Sequence, residues 1–450
     1  MLTDMPRNSK SQNYHLSNAF SSQLIVRSWV MSTGFRKNNP FKSLITYTLF
    51  FGIFTIAVAL HSAWTYYDIS LPLSSPSSNV SSYHETSEFR EFPEHATKWT
   101  AVISNGKIIA SPVLVEDAIY VVVGRTSGEG RIQAMSSWDG SILWDHSLSG
   151  VSDFSPVVAE DVIFISLRSG LLVALDRHNG KELWSFQAES FINGPPIVED
   201  GVIYLAAVKI YALDAVTGEV RWTRKAPKDV SSHLALSQGV LAFVGFDGVL
   251  RLFDADKGKP KFEYPIWFPF SDQLLATKSL LIVTGGGANI HAIDIRSVDI
   301  PYERAMRSVW ERLWLWGMAP SPTVPRGYLW HNGTLQGVEA KAFVADGNFV
   351  YVGIEDAKLS DSSGQIVALD LSDGQVRWRT FLDSFPISAH LVGQEGLLVA
   401  TSAGHLHFLS KSSGFQSHHV ELGLKLVAPP GLGHNQLVVA DNSGTIRSLK

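Results

Sequence analysis

The amino-acid sequence predicts an all-β fold: an eight-bladed β-propeller of four-stranded antiparallel blades, preceded by one transmembrane helix and carrying one helical insertion between blades five and six. Three observations predict it. One motif recurs about every 40 residues through most of the 450-residue chain, glycine turns alternate with short β-rich segments within each copy, and a single long apolar run precedes the copies. Because a four-stranded sheet cannot bury both faces alone, such copies must pack face to face around an axis.

The first element in chain order is the apolar run. Residues 44–64 contain no charged side chain and span roughly 31 Å as a helix, about the thickness of a bilayer core. Basic residues outnumber acidic ones before the run, and none follows it closely. The positive-inside rule therefore predicts a cytoplasmic N-terminal tail at residues 1–43, a transmembrane signal anchor at 44–64 and an extracytoplasmic remainder. A cleaved signal peptide is the alternative, since residues 57–59 read AVA.

The second element is a linker at residues 65–95. This segment is rich in serine and shows little apolar periodicity. Such a composition stays extended and solvated. We therefore expect a flexible linker between the anchor and the repeats, which occupy residues 96–450.

The repeats share three columns of residues. An aspartate or its substitute marks the copies at Ser136, Asp176, Asp214, Asp254, Asp294, Asp370, Ser410 and Lys450. A glycine follows four positions later at Gly140, Gly180, Gly218, Gly258, Gly374 and Gly414, and an aromatic residue eight positions later at Trp144, Trp184, Trp222, Phe262, Tyr302 and Trp378. The aspartate can accept hydrogen bonds from its own turn, the glycine supplies the positive φ, and the tryptophan can bury a large area against the next copy. These residues predict blade geometry and are silent on chemistry.

The two ends of the repeat region complement each other. The eighth copy stops at Lys450, where its last turn and outer strand should follow, whereas Trp99 stands before the first copy without strands of its own. We expect the strand around Trp99 to complete the eighth blade, which closes the ring and removes two exposed edges.

One segment, residues 303–337, is not explained by the repeat. Apolar residues at helical spacing predict an amphipathic helix there: Met306, Val309, Trp310, Leu313 and Trp314. Tryptophan and arginine are typical anchors of protein interfaces. The candidate partner-binding residues are therefore Arg307, Trp310, Trp314 and Trp316. The alternative is that this helix packs against its own propeller as a cap.

Composition limits the chemistry that the chain can perform. It has no cysteine, which excludes disulfides, thiolate metal sites and lipidation through cysteine, and its net charge of −5 lacks the basic excess of nucleic-acid binders. His405 and His407 alternate on a predicted strand and so face one side, but the sequence shows no third metal ligand beside them. We assign no catalytic, cofactor-binding or metal-binding residue.

The motif A-L-D-x-x-[TSN]-G-x-x-x-W, present from residue 174 to 184 and from 212 to 222, resembles the repeat of the PQQ-like propellers, which include quinoprotein alcohol dehydrogenases and non-enzymatic relatives similar to BamB. The resemblance implies an eight-bladed ring that is either a pyrroloquinoline quinone (PQQ) dehydrogenase or a binding scaffold. Quinoproteins of this family carry an adjacent cysteine pair over the cofactor. This chain has no cysteine, so we expect no cofactor. BamB-like proteins are attached by a lipidated cysteine, which residues 44–64 would replace here.

The predicted function is therefore a monomeric, non-catalytic scaffold that binds protein partners of the cell envelope. We expect it on the periplasmic side of the cell membrane, anchored by a single span, in cell-envelope or outer-membrane protein assembly. Two alternatives stay open. One is a PQQ-dependent dehydrogenase, and the other is a propeller that binds a carbohydrate or small ligand at the mouth of its channel.

Overall fold

The computed structural model describes residues 97–449, apart from 104–105, 125–127, 227–228, 267–269, 298–302, 321–326, 336, 338, 356–362, 427, 434–435 and 442. The predicted tail, anchor and linker at residues 1–95 lie outside the described residues. Within the described part, no helix is both long enough and apolar enough to span a bilayer.

Eight antiparallel sheets confirm the predicted number of blades. Blade one consists of β2 (Lys107–Ile108), β3 (Val113–Val115), β4 (Ala118–Gly124), β5 (Gly130–Ser136) and β6 (Ile142–Leu148), and blade two of β7 (Val157–Ala159), β8 (Val162–Ser166), β9 (Leu171–Asp176) and β10 (Glu182–Gln187). Blade three consists of β11 (Ile197–Glu199), β12 (Val202–Ala206), β13 (Lys209–Asp214) and β14 (Val220–Lys225). Blade four consists of β15 (Ala235–Ser237), β16 (Val240–Val244), β17 (Val249–Asp254) and β18 (Pro260–Pro265). Blade one differs from the predicted four strands, because its inner edge is split into two short strands that both pair with β4.

The other four blades follow the same plan. Blade five consists of β19 (Phe270–Ala276), β20 (Leu280–Gly285), β21 (Asn289–Asp294) and β22 (Tyr328–Asn332), with a 3-10 turn at Gly286–Ala288, and blade six of β23 (Ala340–Ala345), β24 (Phe349–Glu355), β25 (Gly364–Asp370) and β26 (Val376–Leu382). Blade seven consists of β27 (Pro386–Val392), β28 (Gly396–Thr401), β29 (His405–Ser410) and β30 (Gln416–Glu421). Blade eight consists of β31 (Gly431–Gly433), β32 (Gln436–Ala440), β33 (Thr445–Leu449) and β1 (Thr97–Val102). The helix α1 (Glu303–Leu315) lies between β21 and β22.

The predicted closure is confirmed, because β1 is the outer strand of blade eight. It pairs antiparallel with β33, from Thr97 opposite Leu449 to Val102 opposite Thr445. Past the strand, the Ile103 amide donates to the Gly444 carbonyl at 2.8 Å. The first and last strands of the described chain thus form one ladder.

The core lies between neighbouring sheets. One cluster joins Trp378 of blade six to Leu397 and Val399 of blade seven. Another joins Val438 of blade eight to Ile119 of blade one, so side chains as well as backbone close the ring. Each blade therefore depends on its neighbours for the burial of its faces.

The predicted turn chemistry is confirmed. The Asp214 carboxylate accepts from the Val216 and Thr217 amides, each at 3.0 Å, and Gly218 has φ +73°. The Arg221 guanidinium and these two amides hold the pKa of the Asp214 carboxyl at about 2. The carboxylate is thus ionised at neutral pH and keeps the turn closed.

The outer-strand tryptophans contact the glycine turns of the following blades. A Cβ atom on Gly218 would lie 2.6 Å from Cε3 of the Trp184 indole. Five of the indole N–H groups also donate across the same interface, as in the 3.0 Å bond from Trp99 to the Ser137 carbonyl. The same contact joins Trp99 to Gly140, Trp144 to Gly180, Trp222 to Gly258, Trp330 to Gly374 and Trp378 to Gly414. The glycine is needed for this close approach as well as for its positive φ.

The position of the helical insertion was predicted wrongly. The sequence places it between blades five and six, but it lies within blade five, between the third and fourth strands. The Asp294 amide donates to the Gly327 carbonyl at 2.7 Å, across the whole insertion. In the ordinary turn of blade two, the equivalent Asp176 amide donates to the Lys181 carbonyl at 2.9 Å. The outer-strand aromatic residue of blade five is Trp330, while Tyr302 lies outside the described residues. A hairpin tolerates such a long turn because closure entropy grows slowly with loop length.

Candidate functional site

The candidate site is built on the insertion of blade five, and its start is fixed by Asp294. The Arg296 guanidinium donates to both Asp294 carboxylate oxygens, at 3.1 and 3.0 Å, and the Ser297 hydroxyl donates to the Asp294 carbonyl at 2.7 Å. The hydrogen bond and negative charge of Asp294 raise the pKa of the Arg296 guanidinium. The chain therefore leaves the blade in a defined direction.

Helix α1 follows, and it ends in a Schellman motif. Gly317 has φ +69°, its amide donates to the Trp314 carbonyl at 2.8 Å, and the Met318 amide donates to the Leu313 carbonyl at 2.8 Å. Glycine is the usual residue at this left-handed position. The chain after Gly317 then turns back along the helix, where the Trp310 indole N–H donates to the Pro320 carbonyl at 3.0 Å.

The structure separates the predicted partner-binding residues. Trp310 is only 8% exposed and stabilises the turn-back, so it is not available as a surface anchor. Trp314 and Trp316 are 46% and 61% exposed. The backbone of Arg307 lies in α1, but its side chain is outside the described part of the molecule. Two of the four candidates therefore present aromatic surface to solvent.

Other apolar side chains of the insertion are exposed beside the tryptophans. They are Val309, Leu315 and Met318, at 57%, 73% and 59%. We call Trp314, Trp316 and these three residues the apolar patch. Of the predicted apolar stripe, the structure buries Trp310 and exposes Val309 and Trp314. Consecutive apolar residues from 313 to 316 could have indicated this, because four in succession cover more than one face of a helix.

A second feature is the central channel. A cavity of about 1390 Å³ is lined mainly by the inner strands and adjoining turns of blades two to seven, with apolar side chains such as Leu236, Leu274 and Phe343. At its wall, Lys411 lies 3.8 Å from Asp346, which also accepts from the Tyr351 hydroxyl at 2.9 Å. Burial, and then the Asp346 carboxylate, raise the pKa of Tyr351.

The family model described as "Outer membrane protein assembly factor BamB" matches residues 128–209, 207–300 and 315–449, which is more than half of the chain.

The chain belongs to the BamB family.

Relatives in the BamB family are similar over nearly their whole length. The outer membrane protein assembly factor BamB of Burkholderia pseudomallei is 24% identical over 382 residues, which cover 81% of this chain and 90% of the relative. The crystal structure of BamB from Moraxella catarrhalis superposes with a TM-score of 0.55 and 16% identity, covering 78% and 98% of the two chains. The quinohemoprotein alcohol dehydrogenase of Comamonas testosteroni superposes with a TM-score of 0.57 and 13% identity, covering 78% and 76%. The two structural likenesses show the fold alone.

This BamB-family chain also has a polar cluster that sequence reasoning missed. His405 and His407 do face one side of their strand, as predicted. Asp383, in the connection from blade six to blade seven, completes a group whose possible ligand atoms all lie within 4.8 Å of one another. Burial alone would raise the pKa of Asp383, but the His405 hydrogen bond and the two imidazoles hold it below its usual value. The third ligand is 22 residues away in sequence, and only the packing of two blades brings it close.

Proposed function

We propose that this protein is a membrane-anchored, extracytoplasmic β-propeller that acts as a non-catalytic scaffold in outer-membrane protein assembly. Residues 44–64 form its anchor, the ring acts as a monomer, and the apolar patch on helix α1 docks a protein partner of the cell envelope. The observation that carries the proposal is the exposure of Trp314 and Trp316 in a chain of the BamB family. The relatives are named as outer membrane protein assembly factors, which supports this setting.

The chemistry of the patch favours a protein partner. Large apolar side chains grouped on a surface cost free energy in water, and such groups mark interaction sites when they are rimmed by polar residues. The exposed Arg312 and the half-buried Glu311 provide that rim. Tryptophans at the centre of an interface commonly dominate its binding energy. The Schellman motif and the hydrogen bond from Trp310 to Pro320 fix the residues of the patch relative to one another before binding, which reduces the ordering cost.

The channel favours a scaffold over the dehydrogenase alternative. A metal-dependent quinone site needs acidic or amide ligands that converge in the channel. Among the described residues, the group of His, Asp and Glu side chains close enough to share an ion is Asp383, His405 and His407, and these residues do not line the cavity. Apolar side chains are the largest class in the cavity lining, and its acidic members are Glu199, Asp346 and Asp370.

We expect the Trp314→Ala/Trp316→Ala double variant of the full-length chain to lose its partner. Affinity capture from detergent extracts of the envelope, quantified by mass spectrometry, should recover an outer-membrane assembly protein with wild type and at least about tenfold less with the variant, since tryptophan hot spots contribute about 2 kcal/mol or more. The melting temperature should stay within about 1 °C, because substitutions of exposed side chains change stability little.

The matched control is Val216→Ala, which shortens an exposed apolar side chain in a turn of blade three and should leave capture unchanged. If the double variant instead melts at a clearly lower temperature, the helix is a cap of its own propeller. Full recovery of the partner by the double variant would exclude the apolar patch as its docking site.

The anchor can be tested separately from the partner. A full-length chain with an epitope tag before Met1 should stay in the membrane pellet after an alkaline carbonate wash with its tag still attached, because about 20 apolar residues are sufficient to span a bilayer. Protease added outside the inner membrane should digest the linker at residues 65–95 and leave the tag protected. Loss of the tag from the exported chain would instead indicate a signal peptide cleaved near Ala59.

A further inference from the structure

The polar cluster at the junction of blades six and seven is not used by the proposed docking surface. Asp383 follows directly after β26, the outer strand of blade six, at the start of the crossing to blade seven. His405 and His407 lie on β29, and His419 pairs with His407 across to β30. Three separate segments thus bring one carboxylate and three imidazoles together.

His407 is the most constrained member of the cluster. It is only 3% exposed, and its Nδ1 lies 3.0 Å from the Gln416 amide oxygen, which can only accept. The proton of a neutral imidazole is therefore on Nδ1, and Nε2 has a lone pair. This buried Nε2 makes no hydrogen bond and lies 3.3 Å from the Asp383 Oδ1 atom. Two electron-rich atoms face each other there, an arrangement that requires a cation between them or a second proton.

The other groups surround the same point. The His405 Nδ1 atom is in hydrogen-bond contact with the other Asp383 carboxylate oxygen. The His419 ring centre is 5.7 Å from the ring centres of both His405 and His407. Asp383 and His405 keep 42% and 23% of their side-chain surface exposed, so an ion can reach the cluster from solvent.

We propose that Asp383, His405 and His407 bind a Zn²⁺ ion, with His419 beside the fourth coordination position. Zinc takes imidazole nitrogen at about 2.0–2.1 Å and carboxylate oxygen at about 2.0–2.2 Å, and a tetrahedral site then has ligand atoms roughly 3.3–3.6 Å apart. The ligand atoms all lie within 4.8 Å of one another, so binding would need side-chain rotations that shorten the longest separation by about 1 Å. A nitrogen and oxygen donor set favours zinc and neighbouring transition metals over Ca²⁺ or Mg²⁺.

The side chains that contact these histidines fit the same assignment. Gln416 accepts from His407 Nδ1, which fixes the ring and directs Nε2 toward the carboxylate. The His419 Nε2 atom lies 3.5 Å from the Glu421 carboxylate, a partner that supports a nearby cationic centre. Bound zinc would join the crossing after blade six to the third strand of blade seven and so reinforce one blade interface.

The corresponding position in blade five provides an internal comparison. His291 lies three positions before Asp294, as His407 lies three before Ser410, and its neighbour on the outer strand is His331. Burial, and then His331, lower the pKa of His291 to about 4, and the ring facing it is Tyr264, at 6.2 Å. Among the residues that the structure describes, no Asp or Glu forms a possible metal-binding group with this histidine pair, which makes the pair the natural control.

The test is zinc titration of the untagged or non-histidine-tagged full-length chain in detergent after chelator treatment. Competition with a chromophoric chelator should give one equivalent of zinc per chain, and cobalt substitution should give the intense visible bands of a tetrahedral site. Asp383→Asn and His407→Ala should each weaken zinc binding at least about tenfold, the usual scale for loss of a ligand or its support. His331→Ala should leave the titration unchanged.

Asp383→Asn is the variant expected to keep the native fold, because the side chain is partly exposed and asparagine has nearly the same shape as aspartate. Zinc should also raise the melting temperature of wild type and not that of Asp383→Asn. Absence of stoichiometric binding, or zinc binding that Asp383→Asn and His407→Ala both leave intact, would overturn the proposal. In the first case the cluster holds a proton rather than a metal, and in the second the metal sits on surface histidines elsewhere.

Discussion

Deletion of residues 96–104 should abolish the cooperative unfolding transition of the ring. The deletion removes β1, which is paired with β33 over its length, and the Trp99 indole that covers Gly140. Trp99 is half-buried, so its loss costs up to the about 3–5 kcal/mol of a fully buried tryptophan, and each lost backbone hydrogen bond costs about 0.5–1.5 kcal/mol. Their sum is comparable with the whole stability of a typical domain, about 5–15 kcal/mol. Circular dichroism and calorimetry should therefore show a broad, low-temperature transition.

The control is a deletion of nine residues from the predicted linker, such as 78–86, which shortens the chain equally and leaves β1 intact. It should melt like wild type. An unchanged melting curve after the 96–104 deletion would mean that seven complete blades and an open eighth are sufficient for stability, and the closure would then have no energetic role.

Gly218→Ala should strongly destabilise the ring, as should alanine at the equivalent glycines under the other outer-strand tryptophans. The residue has φ +73°, which costs roughly 1–2 kcal/mol for any residue with a Cβ. The new methyl group would also lie 2.6 Å from the Trp184 indole, and displacing a packed ring costs about 1–3 kcal/mol more. We expect a loss of roughly 2–5 kcal/mol and a melting temperature lower by roughly 4–10 °C.

Gly201→Ala in the same blade isolates the second contribution. Gly201 has φ +70°, but a Cβ there would meet nothing within 4 Å. Gly201→Ala should therefore lose only the stability that a Cβ atom costs at a positive φ. In a double-mutant cycle, Trp184→Ala should remove most of the difference in stability between Gly218→Ala and Gly201→Ala. If Gly201→Ala and Gly218→Ala are equally destabilised, the indole contact contributes nothing.

Local periodicity predicted the parts of the fold that repeat. The spacing of Asp176, Gly180 and Trp184 predicts the turn and the outer strand that follows it. It can do so because the hydrogen bonds and φ angles of the turn are set by residues a few positions apart. Closure by β1 was also predictable, since a missing strand at one end matched an extra strand at the other. The indole contact on Gly218 was not, because it joins two blades and leaves no separate signal in one sequence.

The insertion shows the limit of counting positions. Tyr302 satisfies the spacing from Asp294 by chance, whereas Trp330 fills the structural position after the long turn. The spacing rule assumes turns of constant length, and a hairpin imposes no such limit. The zinc ligands were missed for a related reason: Asp383 belongs to the crossing between blades, and its distance from His405 is set by how two sheets pack.

The pairing of β1 with β33 has a consequence for biosynthesis. The strand β1 emerges from the ribosome before all other blades and must wait, unpartnered, until β33 (Thr445–Leu449) has been made. Blade eight is therefore the last to assemble, and a nascent or partly exported polypeptide has no finished circle. Any truncated product that lacks its C-terminal strand retains an open edge, which quality-control proteases can recognise as incomplete.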